Sequence, residues 1–123
     1  MSGVIPFLWF DTQAEEAARF YSATFPGAKL GEIRRFSAGN PHGAEGSVMT
    51  ASFDLNGQTV VALNGNRRHA FSPASSLLFF CNDPGDVEPL IAKLSAGGER
   101  QPGGWLKDRY GVSWQVCQGS AAP

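Results

Sequence analysis

Two stretches of the chain carry the same signals in the same order, and that repetition limits the fold more than any other feature. In the first, the apolar run Val4-Ile5-Pro6-Phe7-Leu8-Trp9-Phe10 gives way to Asp11 and Thr12, a helical pattern and three strand-like runs. In the second, Ser76-Leu77-Leu78-Phe79-Phe80-Cys81 gives way to Asp83-Pro84, a helical pattern and three further short strands. Each stretch reads β-α-β-β-β. The expectation is an α+β fold of two tandem βαβββ modules in a single domain, module one over about 4–64 and module two over about 74–118.

The local chemistry supports each assignment. The first run is apolar on both faces, as a strand covered on each side would be, and Pro6 favours a sheet edge or the start of the strand. Thr12 and Glu15 have the spacing of a capping box. Ala14, Ala17, Ala18, Tyr21 and Phe25 repeat at helical spacing on one face, and Pro26-Gly27 ends the pattern. Ala28 to Phe36 reads as a strand, Ser37 to Ser47 as a loop, and Val48 to Leu55 and Gln58 to Asn64 as a hairpin turned by Asn56-Gly57. Asn64 to Pro73 is a polar, basic link. In the second half, Asp83-Pro84 starts a helix with proline at its first position, and Val87, Leu90, Ile91 and Leu94 form its apolar face. Gly97-Gly98 ends that helix. Glu99 to Gln101, Trp105 to Lys107 and Val112 to Cys117 supply the last strands, with Ser113 and Gln115 alternating against Val112, Trp114 and Val116.

Composition removes several function classes. Hydrophobic residues make up 42% and charged residues 17%, so a real core is expected, and a net charge of −1 gives no electrostatic reason for nucleic acid or an anionic membrane as partner. No apolar run approaches the roughly 18 residues of a membrane span. Met1-Ser2-Gly3-Val4 enters the first strand without a basic and apolar leader, so a cytoplasmic protein is expected. Cys81 and Cys117 are too few for a disulfide framework and lack metal-finger spacing.

The tandem modules resemble the vicinal oxygen chelate superfamily, the glyoxalase and bleomycin-resistance group. Within it the chain is similar to the PhnB-like branch, labelled demethylubiquinone methyltransferase-like. The stretches that carry the likeness are Pro6 to Asp11, Phe20-Tyr21, Gly46 to Thr50, Val61 to Gly65, Gly104 to Asp108 and Gly111 to Gln115. The resemblance implies a curved, mixed sheet of about eight strands around a cleft, usually in a homodimer. It also implies a place for metal: metal-dependent members set His, Glu or Gln on the first and last strand of each module. Here those positions carry Pro6 (Val4 if the alignment slips), Val61 or Ala62, Ser76 and Gln115. Divalent ions need imidazole, carboxylate or thiolate donors, so no metal and no cofactor is expected. The methyltransferase label finds no glycine-fingerprint nucleotide unit to support it.

Ser76 and Gln115, with Asn64 nearby, are polar groups in apolar strands, which is how a small-molecule cleft is furnished; the competing reading is that they satisfy one another or bound water. Trp9, Trp105 and Trp114 are large enough to close the sheets as core, and Trp9 and Trp105 are also candidate ligand contacts. His42 and His69 read as exposed loop histidines, and Lys107-Asp108-Arg109 as a solvated turn, with Asp108 alternatively orienting a turn amide. Counting by twos puts Cys117 on the cleft side and Cys81 on the helix side, so two free thiols are expected. The expected function is metal-independent binding, or conversion, of an unidentified small hydrophobic or aromatic molecule. The alternatives are a metal-dependent lyase, isomerase or dioxygenase, and an antibiotic-sequestering protein without catalysis.

Overall fold

A computed structural model describes residues 2–119. Its contacts divide the chain into two compact units, with the boundary between Ala70 and Phe71. Unit one runs β1 (Phe7–Phe10), α1 (Ala14–Thr24), β2 (Lys29–Arg35), β3 (Val48–Leu55) and β4 (Gln58–Asn64). Unit two runs β5 (Leu77–Cys81), a 3₁₀ turn over Pro84–Asp86, α2 (Val87–Ser95), β6 (Glu99–Arg100), a second 3₁₀ turn over Pro102–Gly104, β7 (Trp105–Lys107) and β8 (Ser113–Gln118).

The two sheets have one topology. Their orders are β1-β4-β3-β2 and β5-β8-β7-β6. In each, the first strand lies parallel to the last while the other neighbours are antiparallel. Because side chains alternate across a strand, this register decides which residues meet the helix. In unit one, Phe10, Ala51, Phe53, Val60 and Ala62 are buried together with Ala14, Ala17, Ala18 and Tyr21 of α1. Three alanines let the helix approach the sheet closely, and Tyr21 fills the remaining space, its ring 5.2 Å from that of Phe53. In unit two, Leu90, Ile91 and Leu94 of α2 are buried along with Leu106, Trp114 and Val116.

Several boundaries differ from the sequence reading. β1 begins at Phe7, leaving Val4 and Ile5 as exposed chain, because Pro6 supplies no amide to a ladder and offers only its carbonyl, which accepts from Val61 N–H at 3.0 Å. β5 begins at Leu77, so Ser76 stands exposed just before the strand expected to hold it. The Thr12–Glu15 capping box does not form: Gln13 occupies the N-cap position without a side-chain bond. Asn64 Oδ1 instead accepts from the Ala14 amide at 2.8 Å. Asp83 accepts from Gly85 N–H at 2.9 Å, but what it caps is the 3₁₀ turn, and α2 starts three residues later than Pro84. The Asn56-Gly57 hairpin forms as expected, both residues at positive φ (53° and 99°), with Asp54 Oδ2 accepting from Gly57 N–H at 3.0 Å. Among the described residues no helix is long and apolar enough to cross a membrane.

Candidate functional site

The face of sheet one turned away from α1 is where unit one has chemistry to offer. The register sets Trp9 opposite Leu63 and Leu63 opposite Thr50, so three adjacent strands place these side chains in one row. All three are only half-buried. The row floors an open concavity of about 600 Å³, walled by Phe36, Pro41, Met49 and Asn66, with Asn40, His42, Asn64 and Gly65 completing the rim. A second recess of about 320 Å³ shares Phe36, His42, Asn64 and Gly65 with it and extends past Asp11, Thr12, Glu15 and Ser47. Neither recess has a Lys or Arg among its lining residues.

The loop from Ser37 to Ser47 brings His42 to this position. Its ends are tied by Phe36 N–H to Ser47 O (2.9 Å) and Gly46 N–H to Phe36 O (3.0 Å). Asn40 Oδ1 accepts from His42 N–H at 2.9 Å, which fixes the turn that carries the imidazole. Gly43 lies against the buried Phe36 ring so closely that a Cβ there would fall 2.3 Å from it. Only glycine permits the loop to rest on that ring. The exposed His42 predicted from sequence is thus exposed, and it is also part of the wall of both recesses.

Trp9 is held from two sides. Its indole Nε1 donates to Asn66 O at 2.9 Å, and the His69 ring meets it edge-on at 5.0 Å. A Cβ on Gly65 would fall 2.1 Å from the indole ring, so the ring lies directly on that glycine. Asn64, read from sequence as a ligand contact, has both ends of its amide engaged: Oδ1 accepts from Ala14, and Nδ2 donates to Val48 O at 3.1 Å. It forms part of the rim, while its hydrogen-bonding capacity goes to anchoring α1 and β3 to β4.

The other candidates belong to unit two. Gln115 and Trp105 are directly opposed across β7 and β8 and are both half-buried, and Leu78 stands opposite Gln115 on its other side. Trp114, by contrast, is 1% exposed and belongs to the core. At the turn after β7, Lys107 and Arg109 are exposed as expected, while Asp108 takes the alternative role of orienting turn amides. Asp108 is 2% exposed, its Oδ1 accepting from Tyr110 N–H (2.9 Å) and Val112 N–H (3.0 Å) and its Oδ2 from the Trp114 indole N–H (2.9 Å). Cys81 and Cys117 are free thiols, Cys81 buried and Cys117 half-buried. Burial pushes the Cys81 thiol pKa up, with Asp86, Cys117 and Asp83 adding to the effect.

The donor set at the superfamily's metal positions does not fit a divalent ion. Pro6 has no side-chain donor, Val61 lies on the open face, Ala62 is fully buried against the helix side, and Ser76 and Gln115 offer only neutral oxygen. Among the described residues no group of three His, Cys, Asp or Glu side chains is placed to hold a metal ion.

Two four-stranded mixed sheets of identical order, each backed by a helix, define the glyoxalase/bleomycin-resistance-like fold of the vicinal oxygen chelate superfamily. Residues 2–117 match the family described as 3-demethylubiquinone-9 3-methyltransferase, and the chain belongs to that family. Among solved structures it is similar to a PhnB protein from Bacillus cereus, with 33% identity over 96% of this chain and 100% of that one, at a TM-score of 0.81. A protein from Pseudomonas aeruginosa gives 22% identity over 97% and 100%, at a TM-score of 0.79. The fosfomycin resistance protein FosX from Listeria monocytogenes, complexed with Mn(II) and a dihydroxypropylphosphonic acid, gives 15% identity over 98% and 95% at 0.69, a likeness of fold alone. Comparison with curated protein sequences returns no match.

Proposed function

We propose that the protein binds, and in one form of this reading converts, a small hydrophobic or aromatic molecule without a metal ion. The observation that carries the reading is the concavity over Trp9, Leu63 and Thr50. Its volume of about 600 Å³ suits a small ligand, its floor is mostly apolar, and a few polar groups stand at the rim. The unsuitable donor set at Pro6, Val61, Ser76 and Gln115 supports metal independence, because replacing carboxylate and imidazole ligands by these side chains removes the charge that holds a divalent cation. The half-buried pair Gln115 and Trp105 offers a second polar–aromatic surface, on unit two, with Ser76 exposed just ahead of β5. The protein is further proposed to be a cytoplasmic homodimer, in keeping with the apolar side chains of Ile5 and Phe7 that unit one leaves 52% and 58% exposed.

The test is a thermal-shift screen of the purified protein against metabolites and antibiotics, followed by calorimetry and metal analysis. A true ligand at about a hundred times its dissociation constant adds roughly 2.7 kcal/mol of stability. Thr50→Arg, which projects a long side chain into the concavity from the β3 end of its floor, is expected to abolish that stabilisation while leaving the circular dichroism spectrum unchanged. One tightly bound divalent ion per chain would overturn the metal-free reading, and a ligand indifferent to Thr50→Arg would move the site elsewhere.

A further inference from the structure

The concavity in unit one also states what kind of molecule fits it. We infer, building on the binding reading above, that its ligand is a flat, uncharged aromatic ring carrying one hydrogen-bonding substituent, stacked on Trp9 and contacted at its polar edge by His42. Three observations point this way. The Trp9 indole N–H is already bonded to the Asn66 carbonyl, so what Trp9 presents to the concavity is aromatic surface rather than a hydrogen bond. Gly65 lies against that ring, since any Cβ would fall 2.1 Å away, and the His69 ring meets it edge-on at 5.0 Å, so the indole is fixed in place and offers the concavity the surface those two contacts leave.

The second observation concerns polarity. Asn64 spends both amide atoms on backbone groups, and Asn40 spends its oxygen on the His42 amide. The His42 imidazole, which both donates and accepts, stands at the rim where the two recesses join, held there by the packing of Gly43 on Phe36. A ring substituent such as a hydroxyl or carbonyl meets that chemistry.

The third is charge. No Lys or Arg lines either recess, and the adjoining one carries Asp11 and Glu15, each already paired with arginine: Asp11 with Arg67 at 3.1 Å, Glu15 with Arg19 at 2.8 Å and Arg35 at 4.0 Å. Arg34, which lines a further recess on the same sheet face, is held by Glu32 at 3.4 Å. A carboxylate or phosphonate placed over Trp9 would lose its hydration without gaining a counter-ion, whereas a neutral ring loses nothing comparable.

The experiment compares p-cresol with two probes of similar size, 4-methylcyclohexanol and 4-methylbenzoate, on the intact protein by calorimetry and two-dimensional NMR, with toluene as the control that lacks the polar group. The expected result is p-cresol binding at least tenfold more tightly than either other probe, with shifts at Thr50 and Leu63. Trp9→Leu should erase the preference for the flat ring, and His42→Ala, a change in an exposed loop that leaves the core alone, should weaken p-cresol about tenfold while leaving toluene unchanged. Equal binding of 4-methylcyclohexanol, tighter binding of 4-methylbenzoate, or indifference to His42→Ala overturns the aromatic assignment but leaves the binding site in place. If no probe moves Thr50 or Leu63, both readings fall together.

Discussion

The Asp108 carboxylate accepts a hydrogen bond from the Trp114 indole at 2.9 Å, and the two side chains are 2% and 1% exposed. A buried carboxylate keeps its place only when its lone pairs are satisfied, and the other oxygen accepts from Tyr110 and Val112. The Asp108 backbone N–H returns a bond to Val112 O at 2.9 Å, so one residue closes the β7–β8 turn and ties it to the largest core side chain of unit two.

Asp108→Ala leaves the buried Val112 amide and Trp114 indole N–H without this acceptor. At about 1–3 kcal/mol for each of the two unsatisfied donors, the variant should lose about 2–6 kcal/mol of stability. Urea denaturation followed by tryptophan fluorescence checks this; a loss below about 0.5 kcal/mol, the range of ordinary surface changes, would show that the hairpin does not depend on the carboxylate.

Asn64 joins β4 to the start of α1, so its removal should act on stability before it acts on any ligand. Asn64→Ala deletes the acceptor for Ala14 N–H and the donor for Val48 O. The expected cost is about 0.5–2 kcal/mol, the range for losing a side-chain acceptor at a helix start. Hydrogen exchange should show the loss as faster exchange of the Ala14 amide.

Gly98 has backbone where a side chain would go: a Cβ would lie 2.1 Å from Lys107 O and 2.6 Å from the Asp108 carbonyl carbon. Main chain at this distance cannot rotate aside. Gly98→Ala should therefore cost at least about 1–3 kcal/mol and lower the melting temperature, while the same change at Gly3, where a Cβ meets nothing within 4 Å, should leave it unaltered.

The two thiols should react at different rates. Burial holds the Cys81 pKa above its ordinary value, so at about pH 8 its thiolate fraction is depressed, whereas Cys117 is half-buried. Iodoacetamide followed by mass spectrometry should find Cys117 alkylated first and the two alike once denaturant is added. The sign of the linkage follows: the proton that folded Cys81 retains stabilises the fold fully below the unfolded thiol pKa, and that contribution is lost as pH rises through the raised folded value. Equal labelling of the native protein would contradict the burial argument.

The sequence by itself determined the repeat and the family. It also placed both helices through the spacing of Ala14, Ala17, Ala18 and Tyr21 and of Leu90, Ile91 and Leu94, and it turned the hairpin at Asn56-Gly57. These are properties of neighbours a few residues apart, and short-range periodicity and turn chemistry report them directly. The parallel pairing of β1 with β4, and with it the row of Trp9, Leu63 and Thr50, joins positions tens of residues apart, and only the tertiary structure decided it. For the same reason the sequence does not show that the Asn64 amide also accepts from the start of a helix 50 positions away. Asp108 reads as part of a solvated turn or as the partner of a turn amide; the amides are local and legible, but the bond to the Trp114 indole and the burial it brings depend on where the strands pack. His42 read as an ordinary loop residue because nothing local reveals that Gly43 rests on Phe36 and sets the imidazole at the rim of the concavity. Which partner a polar side chain finds depends on the register of distant strands, and a single sequence carries that information only through the fold it produces.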